Sequence, residues 1–439
     1  MKVITPIAHS LLPFQLKAVK EMVLFLKHNG GVYNCSDMGL GKTVQTFATL
    51  NTLNCRKVLI VSPAVMKGTW KAEAKKWSTL GLTVRVADKA SDIDKTNFNY
   101  LIISYNLLIN VEKLRAHKWD ALVLDEAHYV KSYKAKRTKE ILKHYWPKAK
   151  YKIALSGTPF TQSIMDGYSL FSKFNPVAFP SYLDFANKYA NARVTPWGTQ
   201  YYGVKNHEEL SRIIRSTFYI RYRKEEVLTE LPDKQFTRIS LPESYALKDT
   251  PEEVLAQKEY IELLRQAFAS KVPYFPKPPE SIMKKKRLQG EKKTGPIIEF
   301  ILELLEQNIP VVCFGYHLSV IAEIEKKLEK YKPSVITGSV GSNDRTERVR
   351  RFQDGETDLF IGQLSAAGVG ITLTRSSVCV LSELDYSPSV IAQAVDRLHR
   401  IGQKDTVNVY YFVVENSLEE DIIEIVMDKA KSFAKVLDA

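Results

Sequence analysis

The chain has 439 residues, 45% hydrophobic and 26% charged, with a formal net charge of +14. Such a length exceeds one ordinary core and implies two or three domains, and the composition excludes a disordered chain. No run nears the roughly 18 apolar residues of a membrane-spanning helix, and the N-terminal stretch MKVITPIAHSLLPFQ lacks the apolar core of a secretory leader. Four scattered cysteines, Cys35, Cys55, Cys313 and Cys379, form no C-x-x-C pair and fit buried thiols in a reducing compartment better than a metal site. The surplus of positive charge favours a polyanionic partner, nucleic acid before an acidic membrane.

From the N-terminus onward, short apolar runs alternate with helical patterns. In the first half the strand-like runs are GVYNC (31–35), KVLIVS (57–62), YLIIS (100–104), ALVLD (121–125) and KIALSG (152–157). In the second half they are PVVCFG (310–315), SVITG (334–338), LFIGQ (359–363), VCVLSEL (378–384) and VNVYYFV (407–413). Such runs read as β-α units around a parallel sheet buried on both faces. The i, i+3, i+4 apolar spacing of IIEFILELLEQN and VIAEIEKKLEK predicts helices covering that sheet. The middle breaks the pattern. Residues 160–230 are irregular and tyrosine-rich, and residues 245–295 hold a helical stretch, the proline cluster VPYFPKPPE and the basic run KKKRLQGEKK. The reading is an α/β chain of two lobes with largely helical insertions: a first lobe over 1–223 with an insertion at about 160–223, a linker and insertion over 224–290, and a second lobe over 291–439. KKKR at 284–287 reads as a solvated run in preference to a phosphate contact. Trp70 and Trp77, one heptad apart, are expected to pack on the sheet.

The chemistry begins at SDMGLGKT, residues 36–43. A phosphate-binding loop reads G-x-x-x-x-G-K-[ST], and here Ser36 stands at the first glycine. The stretch follows a strand-like run and precedes a helical one, as the motif requires. Gly39 and Gly41 let the backbone approach phosphate oxygens, Lys42 can reach the outer phosphates, and the Thr43 hydroxyl can ligate Mg²⁺. ALVLDEAH then places Asp125 and Glu126 at the end of an apolar strand, where ligands gather in an open parallel sheet. Asp125 suits the Mg²⁺ shell, and Glu126 suits activation of a water for hydrolysis. An acidic helix cap is the plain alternative for an isolated Asp-Glu pair, but a phosphate loop in the same chain disfavours it. In AQAVDRLHRIGQ (392–403), one helix would align Gln393, Arg397 and Arg400 on one face, and forked arginines suit a γ-phosphate.

The order of PFQLKAVK, DMGLGKTVQT, VLIVSPAVMKGTWKAEAKKW, DEAH, LSGTP, TGSVGSNDRTERVRRFQ, AAGVGITLT and QAVDRLHRIGQ resembles the Swi/Snf ATPase family of superfamily-two, helicase-like DNA translocases, over about residues 10–420. DMGLGKT with HRIGQ points to that branch, and the run from LSAAGVGITLT to HRIGQ is most similar to its annealing-helicase subgroup. The resemblance implies two RecA-like lobes acting on ATP and Mg²⁺, with Ser36, Asp37, Met38, Gly39, Leu40, Gly41, Lys42 and Thr43 forming the loop. It implies that Gln15 reads adenine, that Gln393, Arg397 and Arg400 act on the nucleotide from the second lobe, and that His128, Ser156, Thr158 and Gly370 couple hydrolysis to DNA. Lys67, Thr337, Gly338 and Ser339 fall where the family touches the DNA backbone. The family carries no glycine at the position of Ser36. This chain departs from it at TQS (161–163) and YSP (386–388), and no histone-reading module or zinc finger flanks the motor.

The implied activity is a DNA-stimulated ATPase tracking on duplex DNA, with forked or branched DNA as its substrate, in an intracellular setting of cytoplasmic or nucleoid type. Alternatives are a strand-separating helicase or restriction-complex motor, and an ATP-switched nucleic-acid clamp.

Overall fold

The structure, a computed structural model, describes residues 2–6, 10–79, 83–93, 98–157, 164–195, 198–202, 204–228, 230–269, 278–367, 370–385 and 388–423. It divides into two units, Met1–Thr229 and Glu230–Asp438, each with its own sheet and core.

The first unit carries β1 (Gly31–Asn34), β2 (Val58–Ser62), β3 (Val84–Ala87), β4 (Tyr100–Ser104), β5 (Trp119–Asp125), β6 (Ala149–Leu155), a hairpin of β7 (Asn191–Thr195) and β8 (Gly198–Tyr202), and β9 (Tyr219–Ile220). Seven strands form one sheet in the order β3-β4-β2-β5-β6-β1-β9, with every pairing parallel. Period-two alternation explains its two-sided burial. Val32, Ile60, Ile102 and Val123 enter one cluster, and Tyr33, Val61, Ile103 and Leu124 enter the other. On the first face lie helices α1 (Pro13–Asn29), α2 (Lys42–Thr52) and α3 (Lys67–Trp77), contributing Met22, Phe47 and Trp70. Each such buried side chain stabilises the unit by roughly 1.5–3 kcal/mol. On the opposite face, the aromatic stretch predicted as irregular builds an extension of the core: Phe171, Phe174, Phe179, Phe185 and Phe218 are buried, with Phe174 and Phe218 stacked at 4.8 Å.

The second unit holds β10 (Lys234–Leu241), β11 (Val311–Gly315), β12 (Ser334–Ile336), β13 (Leu359–Gln363), β14 (Val378–Leu381) and β15 (Val407–Val414). They form a parallel sheet in the order β10-β15-β14-β11-β13-β12, buried on both faces. The helices predicted from periodicity appear as Thr294–Glu306 and Leu318–Lys327.

The structure departs from the sequence pattern at two places. The helix through AQAVDRLHRIGQ ends at Val395. The Arg397 carbonyl accepts the Leu373 N–H, and the amides of Arg397 and Leu398 bond three residues back, so residues 396–402 run as turns instead of one α-helical face. Nor is KKKR a freely solvated run. Lys285 pairs with Asp249, the Lys286 ammonium lies 4.0 Å from the Tyr316 ring centre, and Arg287 lies 3.8 Å from Glu291. No helix among the described residues is long and apolar enough to cross a membrane, and all four cysteines are buried.

Candidate nucleotide site

All strands of each sheet point one way, so the loops after β1, β5 and β6 meet at one edge of the first sheet. The loop between β1 and α2 is built by turn geometry. Gly39 and Gly41 have φ of 82° and 80°, the left-handed region that glycine enters without strain. A Cβ on Gly41 would lie 2.5 Å from Gln15 Nε2. Ser36 takes no positive φ, so its backbone needs no glycine. It is fully buried, its hydroxyl accepts the Tyr222 N–H at 3.2 Å, and its own N–H donates to Asn34 Oδ1 at 3.1 Å.

Further side chains lock the loop. Gln15 accepts the Leu12 N–H at 3.0 Å and donates to Leu40 O at 3.1 Å, so its amide clamps the loop from α1. Asn34 donates to Gln45 Oε1 at 2.7 Å, and Gln45 donates to Leu40 O at 3.0 Å. Leu40 and Met38 are buried. An acid in a loop meant for phosphate would repel its ligand, but the Asp37 carboxylate accepts the Lys224 N–H at 3.0 Å and lies 3.4 Å from Arg221.

Asp125 is the last residue of β5. The Trp70 indole N–H donates to Oδ2 at 2.7 Å, the Glu126 N–H donates to Oδ1 at 3.1 Å, and the Tyr105 hydroxyl donates to the main-chain carbonyl at 2.8 Å. Burial and the charge of Glu126 push the Asp125 carboxyl above the usual carboxylate range, while Trp70 and Lys42 pull it down. The Lys42 ammonium donates to Ser36 O at 2.7 Å and Asp37 O at 3.1 Å. Burial lowers its pKa, and Glu126, Asp37 and Asp125 oppose that shift.

Glu126 sits at φ 49°, an uncommon value for a side-chain-bearing residue and one that clusters at functional sites. His128 Nδ1 lies 3.3 Å from its carboxylate and 3.2 Å from the hydroxyl of buried Ser156. The Ser156 N–H bonds Asn34 O at 3.1 Å, and a Cβ on Gly157 would stand 2.6 Å from Met38 Cγ. The three loops therefore contact one another. Thr43, at the start of α2, and Asp125 offer a hydroxyl and a carboxylate, hard oxygen donors that fit Mg²⁺. Among the described residues each Asp125 oxygen takes a single hydrogen bond, which leaves a lone pair for a cation.

Lys67 is buried, donating to Ala87 O at 2.9 Å and pairing with Asp88, so its charge is engaged within the unit. Thr337, Gly338 and Ser339 follow β12 at its carboxyl end. Gly338 and Ser339 are exposed, with the two hydroxyls 3.0 Å apart. Gly370 has φ 78°. Arg397 is buried and its Nε donates to Gln393 O at 3.1 Å, while Arg400 donates to Ile371 O at 3.0 Å and Thr372 Oγ1 at 2.8 Å. Thr158, the TQS stretch and Tyr386 lie outside the described residues. The sequence motifs assign no site role to Trp70, Arg221, Tyr222, Asn34 or Gln45, although Trp70 and Gln45 lie within the motif stretches. The heptad spacing places Trp70 on the sheet, and nothing in the sequence signals its bond to Asp125, 55 positions away.

Residues 14–289 match the family model described as SNF2-related domain, and residues 296–402 match the helicase conserved C-terminal domain. Among curated proteins, the chain is 31% identical over 432 residues to the SWI/SNF-related matrix-associated actin-dependent regulator of chromatin subfamily A-like protein 1 of Xenopus laevis, covering 96% of this chain and 43% of that protein. It is 30% identical over 436 residues to the human DNA annealing helicase and endonuclease ZRANB3, covering 93% of this chain and 39% of that one. The chain thus spans less than half the length of either relative. Among solved structures, the Sulfolobus solfataricus SWI2/SNF2 ATPase core in complex with dsDNA aligns with a TM-score of 0.49 at 25% identity, covering 99% of this chain and 95% of that one.

Proposed function

The chain belongs to the SNF2-related family, and from that premise we propose that it is an ATP-driven translocase on double-stranded DNA, stimulated by DNA and acting on forked or branched substrates. The observation that carries this is the constellation at one sheet edge: Lys42 on the phosphate loop, buried Asp125, and strained Glu126 backed by His128.

Loop amides and Lys42 hold the phosphates, and Gln15 lies against the loop where an adenine would be read. When bound, Mg²⁺ neutralises phosphate charge, with Thr43 and Asp125 as its protein ligands. Glu126 takes the proton of the attacking water, and His128 fixes the carboxylate's orientation. The forked cations of Arg397 and Arg400, with Gln393 beside them, stabilise charge on the transferring phosphoryl group. Such an arginine contributes on the order of 10³–10⁵ in rate. Because these residues belong to the second unit, turnover requires both units, which ties hydrolysis to domain motion.

His128, Ser156, Thr158 and Gly370 pass the nucleotide state to the DNA-holding loops, among them Thr337, Gly338 and Ser339. Contacts to phosphates read no sequence, which suits a tracking motor. The net charge of +14 supports a polyanionic track. The relative described as a DNA annealing helicase supports the branched substrate, and an intracellular setting follows from this role.

The test is ATP turnover with and without duplex and forked DNA. Stimulation is expected, and no response to any nucleic acid would defeat the proposal. Lys42→Ala should abolish nucleotide binding or turnover, and Glu126→Gln should bind ATP yet hardly hydrolyse it.

A further inference from the structure

Directly after the DEAH stretch the chain reads YVKSYKAKRTK, residues 129–139, with five cations between Lys131 and Lys139. Nothing in the nucleotide site uses them. Lys131 lies 3.7 Å from Asp166, and the nearby acid Glu140 is buried and taken by Arg115. Among the described residues Lys134, Lys136 and Lys139 make no ion pair, and all three are exposed.

Two tyrosines interleave with these cations. Tyr129 and Tyr133 are 38% and 41% exposed, enough to present ring surface to a ligand. Each is braced from within the unit. Tyr129 stacks on Tyr105 at 5.2 Å and 9°, and Tyr133 packs on Tyr182 at 4.8 Å. A cation also lies over each ring, Arg137 at 5.6 Å from Tyr129 and Lys134 at 5.8 Å from Tyr133, and the His128 ring packs on Tyr129 at 5.1 Å. Long cationic side chains leave such positions readily, because the exposed contact is weak. The surface therefore offers rigid aromatic rings flanked by movable cations.

We infer that this surface holds an unpaired strand of DNA, with bases on Tyr129 and Tyr133 and phosphates on Lys134, Lys136 and Arg137. A duplex hides the π-faces of its bases, so aromatic rings serve only an unpaired strand, while lysines serve either form. The inference rests on the proposed DNA substrate and sharpens it, because a fork presents unpaired bases beside a duplex. It also supplies a route to the chemistry. The Tyr129 N–H donates to Glu126 O at 2.9 Å, and the Tyr105 hydroxyl beneath Tyr129 bonds Asp125 O. A base seated on Tyr129 thus bears on the segment that holds both acids.

The test is fluorescence anisotropy of a labelled oligothymidine and of a blunt duplex with the full chain. Tyr133→Ala should weaken oligothymidine binding about tenfold, as loss of one stacked base does, and lower the ratio of single-strand to duplex affinity. Tyr133→Phe keeps the ring and should bind like the parent, which separates stacking from misfolding. Lys134→Gln combined with Lys136→Gln should weaken binding and flatten its salt dependence. The inference is overturned if Tyr133→Ala binds oligothymidine as the parent does, if it loses both forms equally, or if polyglutamate displaces the strand as well as unlabelled oligothymidine does. Absence of duplex-stimulated turnover in the parent would instead overturn the translocase reading, and the affinity ratio decides this surface in either case.

Discussion

Trp70 gives its one polar atom to Asp125, which makes it more than a packing residue. A hydrogen bond to a buried carboxylate is worth about 1.5–3 kcal/mol. Trp70→Phe keeps most of the volume and removes that bond. We expect its Mg²⁺ requirement for nucleotide binding to rise about tenfold while metal-free binding changes little, as titration calorimetry would show. The raised pKa of Asp125 sets a direction in pH. Its folded-state value lies above its unfolded value, so the protonated form is favoured by folding. That contribution is fully present below the ordinary carboxylate range and is lost as pH rises through the folded value. The ligand-free protein should therefore lose thermal stability between about pH 4 and 7, and Asp125→Asn should remove that part of the dependence. Mg²⁺ binding runs the other way, because it needs the carboxylate, so affinity should rise over the same window.

The loop over residues 36–43 shows which links a sequence reveals. That Gly39, Gly41, Lys42, Thr43 and the Asp125–Glu126 pair stand at the ends of strands was legible, because each motif is contiguous and flanked by its strand. The ten strands read from apolar runs were all found, since buried parallel strands are continuously apolar. β3, β9 and β10 were missed, and so were the hairpin strands β7 and β8, whose stretches NARVT and GTQYY mix polar with apolar residues. VRVA and KQFTRISL lie at sheet edges and mix polar with apolar residues, and β9 has only two residues. What fixes the loop was equally hidden, because Ser36 and Tyr222 are 186 positions apart and Trp70 and Asp125 are 55 apart. The helix through Arg400 failed for another reason: a facial pattern cannot foresee that the Leu373 N–H captures the Arg397 carbonyl. The segment after β9 holds the loop through Arg221, Tyr222 and Lys224. Arg221→Ala should leave Asp37 undercompensated, weakening ATP binding about tenfold without unfolding the sheet, as nucleotide titration beside circular dichroism would show. Gly41→Ala should be more severe, because a Cβ there meets Gln15 at a positive φ.

On the proposed function, the two parallel sheets carry complementary parts of one reaction. The first unit holds Lys42, Asp125 and Glu126, and the second carries Gln393, Arg397 and Arg400. Arg397→Lys or Arg400→Lys keeps a positive charge but loses the fork, so nucleotide affinity should change little while turnover falls about 10³-fold. Retained turnover in both variants would remove the second unit from the chemistry. The net charge of +14 predicts that DNA affinity falls steeply with salt, whatever the sequence of the duplex. The most direct measurement of the central claim is steady-state ATP turnover of the full chain with no nucleic acid, single strand, blunt duplex, fork and four-way junction. The account predicts low turnover alone, strong stimulation by duplex, and the highest rate on fork or junction, all lost in Glu126→Gln. Turnover that is the same with and without DNA, or that survives Glu126→Gln, would contradict it.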